Sequence, residues 1–466
     1  MRIGLIAVFC LLTLRIAPSS LAQSTEPNKF TGPGSCASPS CHGSVVLRTE
    51  TGPNGIDQTE YSTWVIKDKH ARAYAALSMP VGLRMGKILG LTPNPADFDL
   101  ALRKAGKPTK CIACHTLDVD EAQKAKSFDQ TDGVSCESCH GSASNWLGSH
   151  TTRPANTTRD AVHADSLKKG MIDLHDLSKR TEQCLTCHLG TAEKYVDHEM
   201  IGAGHPDLYF ELASFTTAMP RHWRPRQEEP FLEVRTVAVG QATQLRDQLK
   251  RLARNARGDF KDPNEKGLDR KQVWPEYADL DCFACHHSLA DAKDSWQQER
   301  GFEGRRAGNP PWNLSRFVVL KHVLNEVDAN AGRQLAGNLN NLYAMVSSLT
   351  NDRNQIAAQA DAAAAAADGL VGRVSAHAWN LDNGRRLMKA ISGDTEYISN
   401  QGERPAEQAA MALRALFNGI NAQSPLGNQA QVRSAIDALF KQVEDPSAYN
   451  AFKFASQLRA VNNLLP

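Results

Sequence analysis

The sequence predicts a mainly α-helical protein, with a loop-rich N-terminal part organised around cysteine and histidine followed by a C-terminal antiparallel helical bundle. Three observations carry this expectation. From about residue 315 apolar side chains recur at helical spacing, as in Phe317, Leu320, Leu324 and Val327. The stretch "IAAQADAAAAAADG" is an alanine run of high helix propensity. Ten of the eleven cysteines lie between Cys36 and Cys285, where Gly, Pro and Asp are frequent and short helices joined by loops are expected.

The chain has 466 residues, 41% hydrophobic and 22% charged, which is the composition of an ordinary globular protein of two or three domains. A formal net charge of +2 excludes a strongly basic nucleic-acid binder. The first element, "MRIGLIAVFCLLTLRIAPSSLAQS", has a basic residue, a short apolar run and a small-x-small site ending at Ala22. Residues 1–22 are expected to be a cleaved signal peptide, which places the mature chain in the periplasm. No later stretch approaches the roughly 18 apolar residues of a membrane helix. The mature chain is therefore expected to have no transmembrane segment. Oligomeric state is not legible.

Next come the motifs. "CIACH" (Cys111, Cys114, His115), "CESCH" (Cys136, Cys139, His140), "CLTCH" (Cys184, Cys187, His188) and "CFACH" (Cys282, Cys285, His286) each read C-x-x-C-H. At this composition the pattern should occur by chance roughly 0.01 times. Two thiols can add to the vinyl groups of a haem while the following imidazole meets the iron, so four covalent haems are expected. Neither a disulfide nor a zinc site needs a histidine after every second cysteine.

"CASPSCHG" holds the last two cysteines of the mature chain, Cys36 and Cys41, with four residues between them. It ends in the same Cys-His-Gly-Ser as "CESCHGS". A disulfide loop is one reading. The preferred one is a fifth haem on Cys36 and Cys41 with His42 as proximal ligand, Pro39 bowing out the spacer. Five ferric haems with ionised propionates would bring a charge of roughly −5.

Fifteen histidines less five proximal ones leave ten for the distal positions. Electron-transfer haems want a second axial ligand, whereas a catalytic haem keeps that position open. His70 in "YSTWVIKDKHARAYAAL" shares a helical face with Tyr74 and Leu77. His150 follows the Cys136 motif and is expected to serve a neighbouring haem. His198 and His205 flank the glycines of "HEMIGAGHPDLYFEL", with Pro206 expected to open a helix. His222 stands beside Trp223. These five are the candidate distal ligands. His287 directly follows a proximal histidine, and either another iron or a hydrogen bond would suit it. His163 and His175 read as surface residues, and His322 and His377 as structural ones. Arg153, Arg221 and Arg224 are candidate partners for haem propionates.

Gaps between successive proximal histidines are 73, 25, 48 and 98 residues, so no repeat of fixed period is present. The second half of "TVAVGQATQLRDQLKRLARNAR" reads as a charged amphipathic helix. The Gly/Pro-rich "GFEGRRAGNPPWNLS" separates a pentahaem cytochrome domain, 23–295, from a bundle domain of four to six helices, 296–466. The bundle is expected to cap the haem core; a docking or dimerisation surface is the alternative.

"GVSCESCHG", "YSTWVIKDKHARAY", "HEMIGAGHPDLYFEL" and "CFACHHSL" together resemble the multihaem cytochromes related to the nitrifier tetrahaem cytochrome that accepts electrons from hydroxylamine oxidoreductase. The resemblance covers roughly residues 30–290. It implies closely packed haems, mostly with two histidine ligands, and distal roles for His70, His150, His198 and His205. The chain departs from that pattern in its fifth motif, the widened spacer and the added bundle. The expected function is a periplasmic pentahaem electron carrier with redox partner proteins. The alternative is a multihaem oxidoreductase acting on a small nitrogen or sulfur species at one five-coordinate haem.

Overall fold

The computed structural model describes residues 28–46, 57–91, 111–152, 157–192, 194–223, 229–258, 274–282, 285–286, 305–306, 308–313, 315–348, 350 and 352–466. The expected signal peptide, Arg153, Arg224 and His287 lie outside them. The fold is mainly α, and the extended pairings among the described residues are two isolated bridges, Phe30 with Lys124 and Leu280 with Trp312.

The N-terminal part is made of short helices: α1 (Glu60–Lys67), α2 (Ala73–Ala76), α3 (Pro80–Ile88), α4 (Ile112–His115), α5 (Cys136–His140), α6 (Leu147–Thr151), α7 (Arg159–Lys168), α8 (Leu177–His188), α9 (His198–Ala203) and α10 (Leu212–Ala218). Side-chain caps start several of them. Asp176 accepts from Ser178 N and Lys179 N at the head of α8, and Asp197 from Met200 N at the head of α9. The continuous helix expected around His70 is broken. Asp68 is extended and caps a 3-10 turn, Lys69–Arg72, by accepting from His70 N. Pro206 opens no helix: the next one begins at Leu212, capped by the buried Glu211.

Helix α11 (Leu232–Arg257) is longer and far more buried than an amphipathic surface helix. It packs against α8, α10 and two bundle helices, α14 (Arg353–Ala376) and α17 (Glu403–Gln423). Alanines of α14 (Ala357, Ala360, Ala363, Ala364 and Ala367) are buried, and such short side chains let two helices approach closely along their length. The bundle also contains α12 (Leu320–Val327), α13 (Ala329–Val346), α15 (Leu381–Gly393), α16 (Thr395–Asn400), α18 (Gln429–Val443) and α19 (Ala451–Leu464). Two short helices, α12 and α16, thus join the four to six expected. One hydrophobic core runs from Leu177 and Leu185 on α8 through Leu245 and Leu249 on α11 to Leu458 on α19. This continuity fixes α8, which carries a C-x-x-C-H motif at its C-terminus, to the bundle.

Candidate haem-binding sites

Each motif folds as a tight turn that returns the histidine to the first cysteine. His115 N donates to Cys111 O at 3.0 Å and His286 N to Cys282 O at 2.8 Å. In the widened motif His42 N reaches Cys36 O at 3.2 Å, so the same closure is made across two extra residues. Those residues are absorbed by an inner turn in which Cys41 N and Gly43 N both donate to Ser38 O. Gly43 is obligatory here, because a Cβ would stand 1.8 Å from Ala37 O. Cys36 and Cys41 are free thiols and form no disulfide.

Eight of the ten candidate axial histidines come together in four pairs drawn from distant parts of the chain. His42 and His150 have ring centres 6.1 Å apart, His70 and His188 6.4 Å, His115 and His205 6.3 Å, and His198 and His286 6.1 Å. Each pair joins one expected proximal ligand to one expected distal ligand. Two imidazoles bound from opposite sides to one metal ion, with nitrogen–metal bonds of about 2 Å, place their ring centres about 6 Å apart. The residues therefore fit a six-coordinate haem iron at these four places. His140 has no ring contact among the described residues; of the histidines around it, His222 acts on it most strongly.

Second partners orient the rings. A histidine whose Nδ1–H donates to oxygen presents a bare Nε2 to a metal. His115 Nδ1 donates to Ala73 O at 2.7 Å, His205 Nδ1 to Pro206 O at 2.7 Å and His222 Nδ1 to Pro220 O at 3.1 Å. His42 uses Glu60 Oε2 at 3.1 Å and His70 uses Asp68 Oδ1 at 3.0 Å. The structural histidines do the reverse. His322 Nε2 bonds Asp394 Oδ2 at 2.9 Å, and His377 Nε2 lies 3.3 Å from Asn383 Nδ2, so neither leaves that nitrogen for a metal. Burial pushes His140 and His188 down to about 4, which keeps both imidazoles neutral, as ligation requires.

The motifs also lie close to one another. Cys36 and Cys136 are near enough to act on each other electrostatically, as are Cys114 and Cys187. Glu137, inside the "CESCH" turn and 3% exposed, accepts from Thr31 N, Gly32 N and Ala143 N at 2.7–2.9 Å. It ties the strand leading to Cys36 onto the Cys136 motif. Trp146 packs edge-on against His150 at 5.5 Å, and its buried Nε1–H has no partner. Glu60, Asp68 and Glu137 were not legible as site residues, since each acts on a group far away in sequence or through a turn.

His163 and His175 form a ring pair of their own at 5.5 Å, although both read as isolated surface residues. Arg221 is exposed. Buried arginines lie elsewhere, at Arg246, Arg251, Arg305, Arg316 and Arg404. No helix among the described residues is long and apolar enough to cross a membrane.

Residues 36–141 match the family model described as cytochrome c554 and c-prime. The match runs from Cys36 to Gly141 and takes in the first three motifs, including the widened one. It supports a c-type cytochrome with covalently bound haem, and hence a role in electron transfer. Neither the curated proteins nor the solved structures contain a match.

Proposed function

We propose that this c-type cytochrome is a periplasmic pentahaem electron carrier whose haems are held by paired histidines. The observation that carries the reading is the set of four histidine pairs at 6.1–6.4 Å, each combining a motif histidine with a remote one. The haem on Cys36 and Cys41 takes His42 and His150, that on Cys111 and Cys114 takes His115 and His205. The haem on Cys184 and Cys187 takes His188 and His70, and that on Cys282 and Cys285 takes His286 and His198. His222 serves the haem on Cys136 and Cys139 opposite His140, supported by its leading electrostatic effect on that ring.

When bound, haem supplies the one-electron iron couple. The chain's residues set the conditions around it. Glu60 and Asp68 hold His42 and His70 in one tautomer, and a carboxylate acceptor makes each imidazole a stronger donor. The proximity of Cys36 to Cys136 and of Cys114 to Cys187 would bring the haems held by these motifs near one another. On this reading the signal peptide is residues 1–22, the haem-bearing part 23–295, and residues 296–466 a structural cap. The partner is a protein that gives or takes single electrons, a hydroxylamine oxidoreductase-like one if the resemblance to the nitrifier cytochromes extends to function.

Intact mass of the mature protein should exceed the polypeptide by five haems, at about 616 Da each from the cofactor's own formula. Four additions would remove the Cys36 site. Electron paramagnetic resonance of the ferric protein should contain only low-spin signals. A high-spin signal equal to one haem would instead favour the oxidoreductase reading, with the Cys136 motif as the open site, because no ring contact joins His140 to another histidine among the described residues.

A further inference from the structure

At the junction of the haem-bearing part and the bundle lies a pocket of about 40 Å³, with Arg251, Arg316 and Arg404 among the residues that line it. All three arginines are at least nine-tenths buried, at 5%, 4% and 7% exposed. Asp207 and Asp279 also line the pocket, and the buried Asp281 acts on Arg404 from beside it, so the guanidinium charges are partly offset.

The arginines are held from several directions. Arg404, at the head of α17, donates through Nη1 to Ala278 O and Leu280 O at 3.1 and 3.3 Å, and its Nε pairs with Asp207. Arg251 donates to Leu189 O and pairs with Asp279 at 3.3 Å. Arg316 donates to Phe210 O at 2.8 Å and to Gln244. Two charged donors are nevertheless left without a partner: Nη2 of Arg404 and Nε of Arg251. A buried charged donor with nothing to bond is among the costliest arrangements a protein can keep, so the pair needs an acceptor.

We propose that this pocket binds a carboxylate-sized anion through Arg251 and Arg404, the occupant being a haem propionate or a free small anion. Its position favours the propionate. Leu189, on the wall, follows His188 directly, and Arg404 is the charge acting most strongly on Cys282. The volume suits one carboxylate or about three to four waters, since a single water needs about 10–15 Å³ by the same measure. Glu403 and Glu407, next to Arg404 on α17, are pushed up by burial to about 7 and about 8, so they neutralise the arginines only in part near neutral pH. The bundle, through Arg404, is then part of a haem site rather than a cap alone.

The inference rests on haem at the Cys184 and Cys282 motifs. Two measurements on the intact holoprotein test it: a crystal structure, with and without a bromide soak, and potentiometric titration of wild type, Arg404→Gln and Arg404→Lys. A propionate oxygen within hydrogen-bond reach of Arg404 Nη2 or Arg251 Nε is expected. The midpoint of one haem should then fall in Arg404→Gln, because a lost cation favours the ferric state. Arg404→Lys should restore part of the shift, and the other haems should keep their potentials. Anomalous bromide density at the two guanidinium groups would identify the free anion as the source. Water alone in the wild-type pocket would overturn the proposal, whether or not the variants fold. Intact mass separates the two failures: fewer than five haems counts against the haem reading, whereas five haems with only water counts against this site alone.

Discussion

At the scale of the residue, the sites depend on which nitrogen of each histidine is occupied. Asp68 is the clearest case: 3% exposed, it both caps the turn and accepts from His70 Nδ1. Replacing it with Asn keeps the shape but removes the charge, so His70 becomes a weaker donor. The midpoint of one haem should rise in Asp68→Asn while the others stay, as read by spectroelectrochemistry. Ring planes make a second prediction. His42 with His150 and His198 with His286 are near parallel, at 16° and 32°, whereas His70 with His188 and His115 with His205 are crossed at 89° and 85°. Parallel rings split the iron π orbitals and crossed rings leave them nearly degenerate. Ferric spectra should accordingly contain both rhombic and highly anisotropic low-spin signals, and a single type would contradict the pairing. Gly43→Ala should lose one haem by mass, about 616 Da, because its Cβ has no room; Gly202→Ala, with open space at its Cβ, should keep five.

At the scale of the element, α11 organises the molecule. Arg246 on this helix is 4% exposed and bonds Glu182 of α8 at 2.7 Å, Asp247 at 2.8 Å and Asp368 of α14 at 3.0 Å. It locks the motif-bearing α8 to the bundle. Glu182 and Asp368 are 44% and 60% exposed, so solvent weakens their share of the network. Arg246→Gln should cost on the order of 2 kcal/mol. Leu245→Ala, at a fully buried position of the same helix, should cost about 3 kcal/mol by opening a cavity. Denaturant unfolding compares the two, and equal stability to wild type in either would contradict this packing. The second half of α11 was legible from its periodicity and α14 from its alanine run, but α8 and the burial of α11 on all sides were not. Its charged residues suggested a wet face, and only the neighbouring helices show where Arg246 finds its acids.

At the scale of the whole molecule, the haem-bearing part and the bundle share one core. A chain ending at residue 295 would expose Val234, Val237, Leu245 and Leu249 of α11, all fully buried. It should aggregate or be degraded rather than accumulate as a soluble five-haem protein, and soluble expression would show the bundle to be dispensable. The junction is also sensitive to pH. Glu403 and Glu407 are raised by burial and by neighbouring acids, so the folded state holds protons that the unfolded state releases above about 4.5. Their effect is therefore to stabilise less as pH rises from about 4.5 to about 8. Glu407→Gln should flatten that decline in thermal melting across pH 6–9, and an unchanged slope would place the carboxyl in water.

What the sequence by itself determined was covalent chemistry and local geometry. Cys-x-x-Cys-His spans one turn, so the motif needs nothing distant, and an apolar stripe predicts a helix wherever it packs. Four of the five distal candidates, His70, His150, His198 and His205, meet a motif histidine, and aromatic or glycine-rich surroundings mark them in the sequence. Their partners were not legible. His70 meets His188 across more than a hundred residues, and His115 meets His205 across nearly as many; no local pattern encodes such a meeting. Tertiary structure also decided which carboxylate turns which imidazole and which arginines lack an acceptor. Those choices depend on distances between groups remote in the chain, which exist only once the core from α8 to α19 has closed.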